Sequence, residues 1–313
     1  MADKCINSNA DIAGIGIRVN FYVTILLTAL TPENGRTDEL LDGIYKNSVI
    51  NGLSLVITAV VQTMQKQLDL YHAIFVMQIL FSLNFVYAYG QRRFIRSNRT
   101  DFRMKIFIGV QTFTTMVFTV WLLYVWIKDI DFGSQPSCNH LVKYVIFFAD
   151  IRATATWLRV LFIIYLVVSA CMLLFRFGAI LSEHMERLRK RIHATRKEVW
   201  HDISGTEPQQ SRQSHELRES QQPQQPQQPQ QPQEQGNAPE VFRYVTLSFV
   251  YAVYGVATLE LIVHRNRPNI QPGEDAWGFG QIIAVILILG NLIDIVVALR
   301  ERYWKETPPG SEI

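Results

Sequence analysis

The sequence predicts an all-α fold, a polytopic membrane helix bundle of about seven transmembrane helices with its N-terminus outside and its C-terminus cytosolic. Apolar runs of about 20 residues recur along the chain, and that is the length a helix needs to cross the hydrocarbon core. Lys and Arg collect in alternate connections between these runs, as they do on the cytosolic side of membranes. The hydrophobic fraction is 49% of 313 residues, although one long polar stretch lowers it.

Seven runs meet the length rule. They cover approximately residues 12–30, 44–64, 70–89, 104–127, 155–175, 244–263 and 277–299. The second run is the most polar, because Lys46, Asn47 and Asn51 lie in it. The apolar stretch 141–148 is too short to cross a membrane, and we expect a surface helix, a re-entrant helix or an extension of the fifth span there.

The basic residues set the predicted orientation. They cluster in 92–105, 176–197 and 300–305, after the third, fifth and seventh spans. With an odd number of spans and an outer N-terminus, all three clusters lie in the cytosol, in agreement with the positive-inside rule. Arg265 and Arg267 fall on the outer side and count slightly against this orientation.

These patterns divide the chain into five segments. They are the first five spans in 1–176, a cytosolic basic amphipathic helix in 177–202, a disordered Gln/Pro-rich linker in 203–240, the last two spans in 241–305, and a cytosolic tail in 306–313. The linker contains QQPQQPQQPQQPQ, which has no apolar surface to bury. The apolar stripe within 180–201 predicts binding to anionic inner-leaflet lipids or a weak homo-oligomer.

Polar residues share helix faces within several spans. Those of the second span are separated by steps of four and three residues, which places them on one face of a helix. The candidates to line a cavity are Asn47, Asn51, Ser54, Thr58, Gln62, Thr115, Thr119 and Asn291. One interpretation is a water-filled path or ligand cavity. The other is interhelical hydrogen bonding, worth about 0.6 kcal/mol per contact.

Charged residues inside the spans are scarcer, because each costs at least about 2.5 kcal/mol at the bilayer centre. They are Arg18, Lys46, Arg159, Glu260 and Asp294. Their depth permits Arg18 or Arg159 to pair with Glu260, and Lys46 to pair with Asp294. The alternative for the basic residues is snorkelling to the nearer interface.

The three cysteines form no CxxC motif and no metal-ligand spacing, so we expect neither a metal nor a cofactor. Cys5 and Cys138 both fall in the outer, oxidising compartment of this topology and are candidates for a disulfide. Two free thiols are the alternative. Cys171 is expected to be buried in the fifth span.

Two stretches resemble a broad group of uncharacterised fungal multi-pass membrane proteins. ADIAGIGIRVNFY at 10–22 is similar to the opening of those proteins, and WGFGQIIAVILIL at 277–289 is similar to the start of their last helix. The resemblance implies a multi-pass membrane protein of fungal source. It implies no activity and no functional residue.

No catalytic signature is present in the sequence. The seven histidines form no HExxH pair, and there is no Walker loop, GxSxG motif or dinucleotide fingerprint. The sequence therefore predicts transport, channel or receptor-like function in a lipid bilayer, without nucleic acid. Two alternatives stay open. One is a membrane-embedded enzyme acting on a lipid or isoprenoid, with Asp150, Glu260 and Asp294 as candidate acids, and the other is a membrane scaffold that uses the cytosolic linker.

Overall fold

The computed structural model describes residues 4–31, 37–97, 102–203 and 238–306. The chain divides into two compact units, Met1–Ala170 with Pro239–Ile313, and Cys171–Ala238. The predicted Gln/Pro-rich linker, apart from its ends, and the residues after 306 lie outside the described ranges, so those segment predictions stay predictions.

The described chain is mostly helical. Its helices are α1 (Ala10–Ala13), α2 (Ile15–Leu30), α3 (Asp38–Met64), α4 (Leu70–Ser97), α5 (Phe102–Ile127), α6 (Thr156–Ile203), α7 (Ala238–Asn266) and α8 (Phe279–Glu306). Seven helical stretches are long and apolar enough to cross a membrane, and the first of them runs through α1 and α2. The predicted helical class and the seven apolar helices are thus confirmed.

The most buried of the apolar helices is α4. Within its apolar stretch 88% of the residues are buried, compared with 33% in α5 and in α7. It packs against α2, α3 and α5, while α2 packs against α8. Because α4 is covered by several helices, residues at its start are shielded from solvent, and this matters for the site described below.

The first span and the last helix approach each other closely. The helical conformation is interrupted at Gly14, between α1 and α2. A Cβ atom on Gly16 would lie 2.9 Å from the carbonyl oxygen of Gln281, so this approach requires glycine. The Gly16 N–H donates to Oε1 of Gln281 at 3.0 Å, and the Gly280 N–H donates to Oδ1 of Asp11 at 3.2 Å. The two stretches that carry the fungal resemblance therefore pack against each other.

Three connecting segments meet at one end of the first unit. We term them the cap, and they are residues 4–9, 128–142 and 267–278. Ile6 donates its N–H to the Asn269 carbonyl at 2.9 Å and accepts from the Gln271 N–H at 2.8 Å. A disulfide joins Cys5 to Cys138, whose Cα atoms are 5.8 Å apart. The N-terminal segment is thus fixed to both of the other cap segments.

A β-hairpin replaces the helix that the sequence predicts around 141–148. A short 3-10 helix, Pro136–Leu141, leads into strand β1 (Lys143–Ile146), which pairs antiparallel with β2 (Ala149–Arg152). The helical expectation for this stretch is wrong, because its aromatic and β-branched residues favour a strand. The all-α prediction is corrected by this one hairpin among the described residues.

The hairpin belongs to the first unit and runs alongside α7. At its base, the Asn266 side chain donates to the Lys143 carbonyl and accepts from the Lys143 N–H, each at 2.8 Å. At its tip, the ring centroid of Phe147 lies 5.9 Å from that of Tyr254. Twelve helical residues separate Asn266 from Tyr254, which is about 18 Å along the helix axis. The hairpin therefore lies beside α7 over about this length.

Of the second unit, the structure describes residues 171–203, which lie in α6, and Ala238, the first residue of α7. The predicted cytosolic helix 177–202 falls inside this continuous helix and does not begin as a separate element. Cys171 lies within the fifth apolar stretch, Thr156–Phe175, and is exposed on the protein surface, so burial of its thiol by lipid stays a prediction. Met185 and Ile192 of the apolar stripe are also exposed, and binding of that stripe to lipid or to a second copy stays a prediction.

Candidate functional site

Arg18 is a buried arginine of α2 that binds two carboxylates. Its Nη1 lies 3.0 Å from Oε1 of Glu260 in α7, and its Nη2 lies 3.1 Å from Oδ1 of Asp275 in the cap. Tyr22, one turn further along α2, donates to Oε1 of Glu260 at 2.6 Å. The Arg18 side chain is 10% exposed and that of Glu260 is 46% exposed. Of the two arginines that depth permits for Glu260, the structure brings Arg18 to it.

His72, at the start of α4, lies between two other carboxylates. Its Nδ1 is 2.9 Å from Oδ1 of Asp69, and its Nε2 is 3.1 Å from Oε1 of Glu274 in the cap. The side chains of His72, Asp69 and Glu274 are 1%, 5% and 11% exposed. Asp69 Oδ1 also accepts the His72 backbone N–H at 3.0 Å, so it caps the first turn of α4.

The two clusters meet at one point of the cap, because Glu274 and Asp275 are consecutive residues. Nε of Arg18 is buried and makes no hydrogen bond to any described residue. The Tyr71 hydroxyl and Oε2 of Glu274 are also buried, and their one potential partner among the described residues is each other. Buried polar groups in native proteins are nearly always satisfied by protein or by water. This region therefore retains hydrogen-bonding capacity for a small polar partner.

Arg159 binds Asp129, not Glu260. Its Nη1 lies 3.2 Å from Oδ1 of Asp129, and its Nη2 donates to the Ile127 carbonyl at 2.7 Å. The Asp129 side chain is 1% exposed. Burial raises the pKa of its carboxyl above the usual range, and the Arg159 guanidinium opposes that rise. The alternative pairing of Arg159 with Glu260 is wrong, because the cap brings Asp129 to the first turn of α6.

The ion pair between Lys46 and Asp294, which their depth in the membrane permits, includes one side chain that the structure does not describe. Lys46 is half-buried in α3. The side chains of Asn291 and Asp294 in α8 are not among those that the structure describes. The pairing of Lys46 with Asp294, and the role of Asn291 as a cavity-lining residue, therefore stay predictions.

The residues of the polar face of α3 differ in burial, so the face does not point into the bundle along its whole length. Asn51 is buried, Ser54 is exposed, and the other members are half-buried. Gln62, at the cap end of the face, accepts a hydrogen bond from Asn9 Nδ2 at 2.8 Å. The expectation of an inward face is wrong at Ser54, because the face follows the border between the buried and exposed sides of α3.

Hydroxyl groups on α3 and α5 are satisfied by their own helices. Thr115 donates to the Gln111 carbonyl at 2.9 Å, and Thr119 donates to the Thr115 carbonyl at 2.8 Å. Thr58 donates in the same way to Ser54, four residues earlier. Such bonds satisfy a hydroxyl without a neighbouring helix or water. Bonds within one helix are thus a third explanation for these polar residues, beside a cavity and interhelical hydrogen bonds.

A more deeply buried polar face lies on α2 and was not among the candidates. Asn20, Thr24 and Thr28 follow one another at steps of four residues, and all three are buried. Thr28 donates to the Thr24 carbonyl at 2.9 Å. Asn20 Oδ1 and Thr24 Oγ1 have no hydrogen-bond partner in the part of the chain that the structure describes. The spacing of four residues in the sequence could have predicted this shared helix face, as it did for α3.

Metal binding finds no support in the described ranges. There, no group of three His, Cys, Asp or Glu side chains has an arrangement that would hold a metal ion. Each cluster instead places two carboxylates around one basic side chain, Arg18 or His72. The chemistry that this region offers is ion pairing and proton binding.

Comparison with known proteins does not identify the chain. No protein-family model, no curated protein and no solved structure matches it. The fungal resemblance therefore stays a prediction.

Proposed function

We propose that the protein is an integral membrane protein of seven spans, with the cap outside and the C-terminus in the cytosol. The disulfide between Cys5 and Cys138 supports the placement of the cap, because disulfides persist in oxidising compartments. Both α4 and α8 begin next to the cap. The basic clusters at 92–105 and 300–305 begin in the last turns of these two helices, at the end away from the cap, where the positive-inside rule expects the cytosol. The two observations favour the same orientation.

The function that we propose is transport, channel or receptor-like, with the Arg18 cluster as its working site. One observation carries this proposal. Arg18 is buried within a span and binds Glu260 of α7 together with Asp275 of the cap. Charged groups inside spans are costly, and they commonly mark ion paths, proton relays or ligand sites. A change at Asp275 would thus be passed through Arg18 to two helices at once.

The cluster is buried on its arginine side and open on its carboxylate side. The Glu260 side chain is half-exposed, and that of Asp275 is more exposed still. A solute that reaches the cap from outside therefore meets negative charge before it meets Arg18. Such an arrangement raises the local concentration of cations and of solutes with an ammonium group. The cluster is better placed for this role than the polar face of α3.

Flux measurements on the full-length protein in proteoliposomes test this proposal. We expect conductance or uptake under a gradient of K⁺, Na⁺ or H⁺, and we expect Arg18→Gln to abolish it. Arg267→Gln is the matched control, because Arg267 also approaches Asp275, at 3.7 Å, but is exposed. The control variant should retain most of the flux. A folded wild-type protein that passes none of these ions would contradict action as a channel or transporter of small cations.

A membrane-embedded enzyme has less support from the geometry. Glu260 is held by Arg18 and Tyr22, and Asp150 is held by Lys143 and Arg265. Both carboxylates are thus engaged in ion pairs within the protein, whereas a catalytic acid must lie within hydrogen-bonding reach of its substrate. Turnover of a lipid or isoprenoid that is lost in Glu260→Gln but retained in Arg18→Gln would reverse this preference.

A further inference from the structure

His72 presents both of its ring nitrogens to carboxylates. Nδ1 lies within hydrogen-bonding distance of Asp69, and Nε2 lies within hydrogen-bonding distance of Glu274. All three side chains are almost fully buried, so bulk water is not in a position to replace either contact. The first contact is local to the start of α4, whereas the second joins residues 202 positions apart in the sequence.

Counting protons shows what this arrangement requires. A neutral imidazole has one N–H, and its other nitrogen carries a lone pair. If both carboxylates were ionised, a neutral His72 would turn that lone pair toward a carboxylate oxygen, and the two would repel. The observed geometry therefore requires one additional proton, on the imidazole ring or on one of the two carboxyl groups.

Titratable and charged groups face this proton from each element packed around it. They are Asp69 and Tyr71 at the start of α4, Glu274 and Asp275 in the cap, and Arg18 in α2. Only the two carboxylates bind the imidazole directly. The guanidinium of Arg18 is already bound to Glu260 and Asp275. The ring is thus faced mainly by negative charge.

We infer that Asp69, His72 and Glu274 form a proton-binding site, and that the bound proton fastens the cap to the start of α4. When the proton leaves as the pH rises, one contact of the imidazole becomes repulsive and Glu274 separates from it. Asp275 follows Glu274 in the chain, so the same release loosens the segment that binds Arg18. The inference goes beyond the proposed function, and it stands whether or not the protein moves a solute.

Hydrogen–deuterium exchange of the full-length protein in nanodiscs tests the site. The readout is the protection of backbone amides in 270–278, relative to an unfolded peptide of the same sequence at each pH. Release of one proton changes an opening equilibrium by up to about tenfold per pH unit. We expect wild-type protection to fall with this dependence as the pH is raised upward from about 6.5, the ordinary pKa of histidine. Protection that stays constant over the range would overturn the inference.

The variant Glu274→Gln separates proton binding from simple packing. Its amide N–H can donate to the lone pair of a neutral imidazole, so no additional proton is required. We expect this variant to keep the segment protected and to lose the pH dependence, whereas Glu274→Ala should lose protection at every pH. A Glu274→Gln variant that is as unprotected as Glu274→Ala, or that keeps the wild-type pH dependence, would overturn the inference.

An exposed histidine supplies the matched control. His264 lies near the cap end of α7 and is exposed. His264→Gln removes one titrating imidazole without touching Asp69 or Glu274, and it should retain the wild-type pH dependence. If His264→Gln abolishes the dependence, the titrating group is not in the proposed site and the inference fails.

Discussion

Cys5 and Cys138 are covalently joined although 133 residues of sequence separate them. The bond fixes the segment before the first span to the segment that follows α5. The two segments are also joined by a hydrogen bond, in which the Asn7 N–H donates to Oε1 of Gln135 at 3.1 Å. The cap is therefore held together by covalent and polar contacts at once, and this end of the bundle carries the buried charges.

Loss of the disulfide should destabilise the protein. We expect Cys5→Ser and Cys138→Ser each to lower the free energy of unfolding by about 2–4 kcal/mol, because the bond constrains the unfolded chain. Thermal or detergent-induced unfolding of the purified protein measures this change. Cys171→Ser is the control, since that thiol is exposed and unbridged. Equal stability of all three variants would show that the bond does not hold the cap.

The pair between Arg18 and Glu260 should be energetically coupled. Arg18→Gln should cost about 1–3 kcal/mol, because it leaves two half-exposed carboxylates without their partner. Glu260→Gln should cost less, since Arg18 keeps Asp275 and solvent screens the half-exposed Glu260. The double variant should lose less stability than the sum of the single variants. Strictly additive losses in a double-mutant cycle would contradict a direct interaction.

The buried carboxyl of Asp129 predicts a pH dependence of stability. Its pKa is raised in the folded state, so the folded protein binds the proton more tightly than the unfolded chain does. The associated stability is present below the unfolded pKa of about 3.9, and it is lost as the pH rises through the folded value. Asp129→Asn cannot titrate and should show a flatter profile through this range.

Unfolding midpoints of wild type and Asp129→Asn, measured from about pH 4 to pH 8, check this expectation. The stability of the variant relative to wild type should grow with pH. Asp131→Asn removes a neighbouring negative charge that raises the pKa of Asp129, so it should reduce the pH dependence without abolishing it. A difference that is the same at every pH would show that Asp129 is not the titrating group.

The helices were predictable from the sequence, because the length of apolar runs and the position of basic clusters follow directly from the bilayer. The pairing of Arg18 with Glu260 could also be proposed, since depth in a span restricts the partners. The contact of His72 with Glu274 could not be proposed, because helical periodicity relates residues within one helix and says nothing about a partner 202 positions away. The hairpin was missed because length and apolarity alone do not separate a short strand from a short helix, and the aromatic and β-branched composition that favours a strand was not weighed.

The polar face of α3 gives a prediction on helix orientation. Asn51→Leu should destabilise the protein by about 1–3 kcal/mol, because it replaces a buried polar group. Ser54→Leu should change stability by no more than about 0.5 kcal/mol, because Ser54 is exposed on the helix surface. Thermal unfolding of the two variants gives the comparison. A larger loss in Ser54→Leu than in Asn51→Leu would mean that the face points inward after all.

Sided labelling of two single cysteines tests the proposed orientation most directly. Asp131→Cys lies in the cap, and Arg300→Cys lies near the far end of α8; both positions are exposed. Each is introduced into a Cys171→Ser background, in which Cys5 and Cys138 stay protected as a disulfide. With a membrane-impermeant maleimide on intact cells or sealed right-side-out vesicles, we expect Asp131→Cys to react at once and Arg300→Cys to react only after permeabilisation. The reverse order, or reaction of both from the same side, would contradict the seven-span orientation.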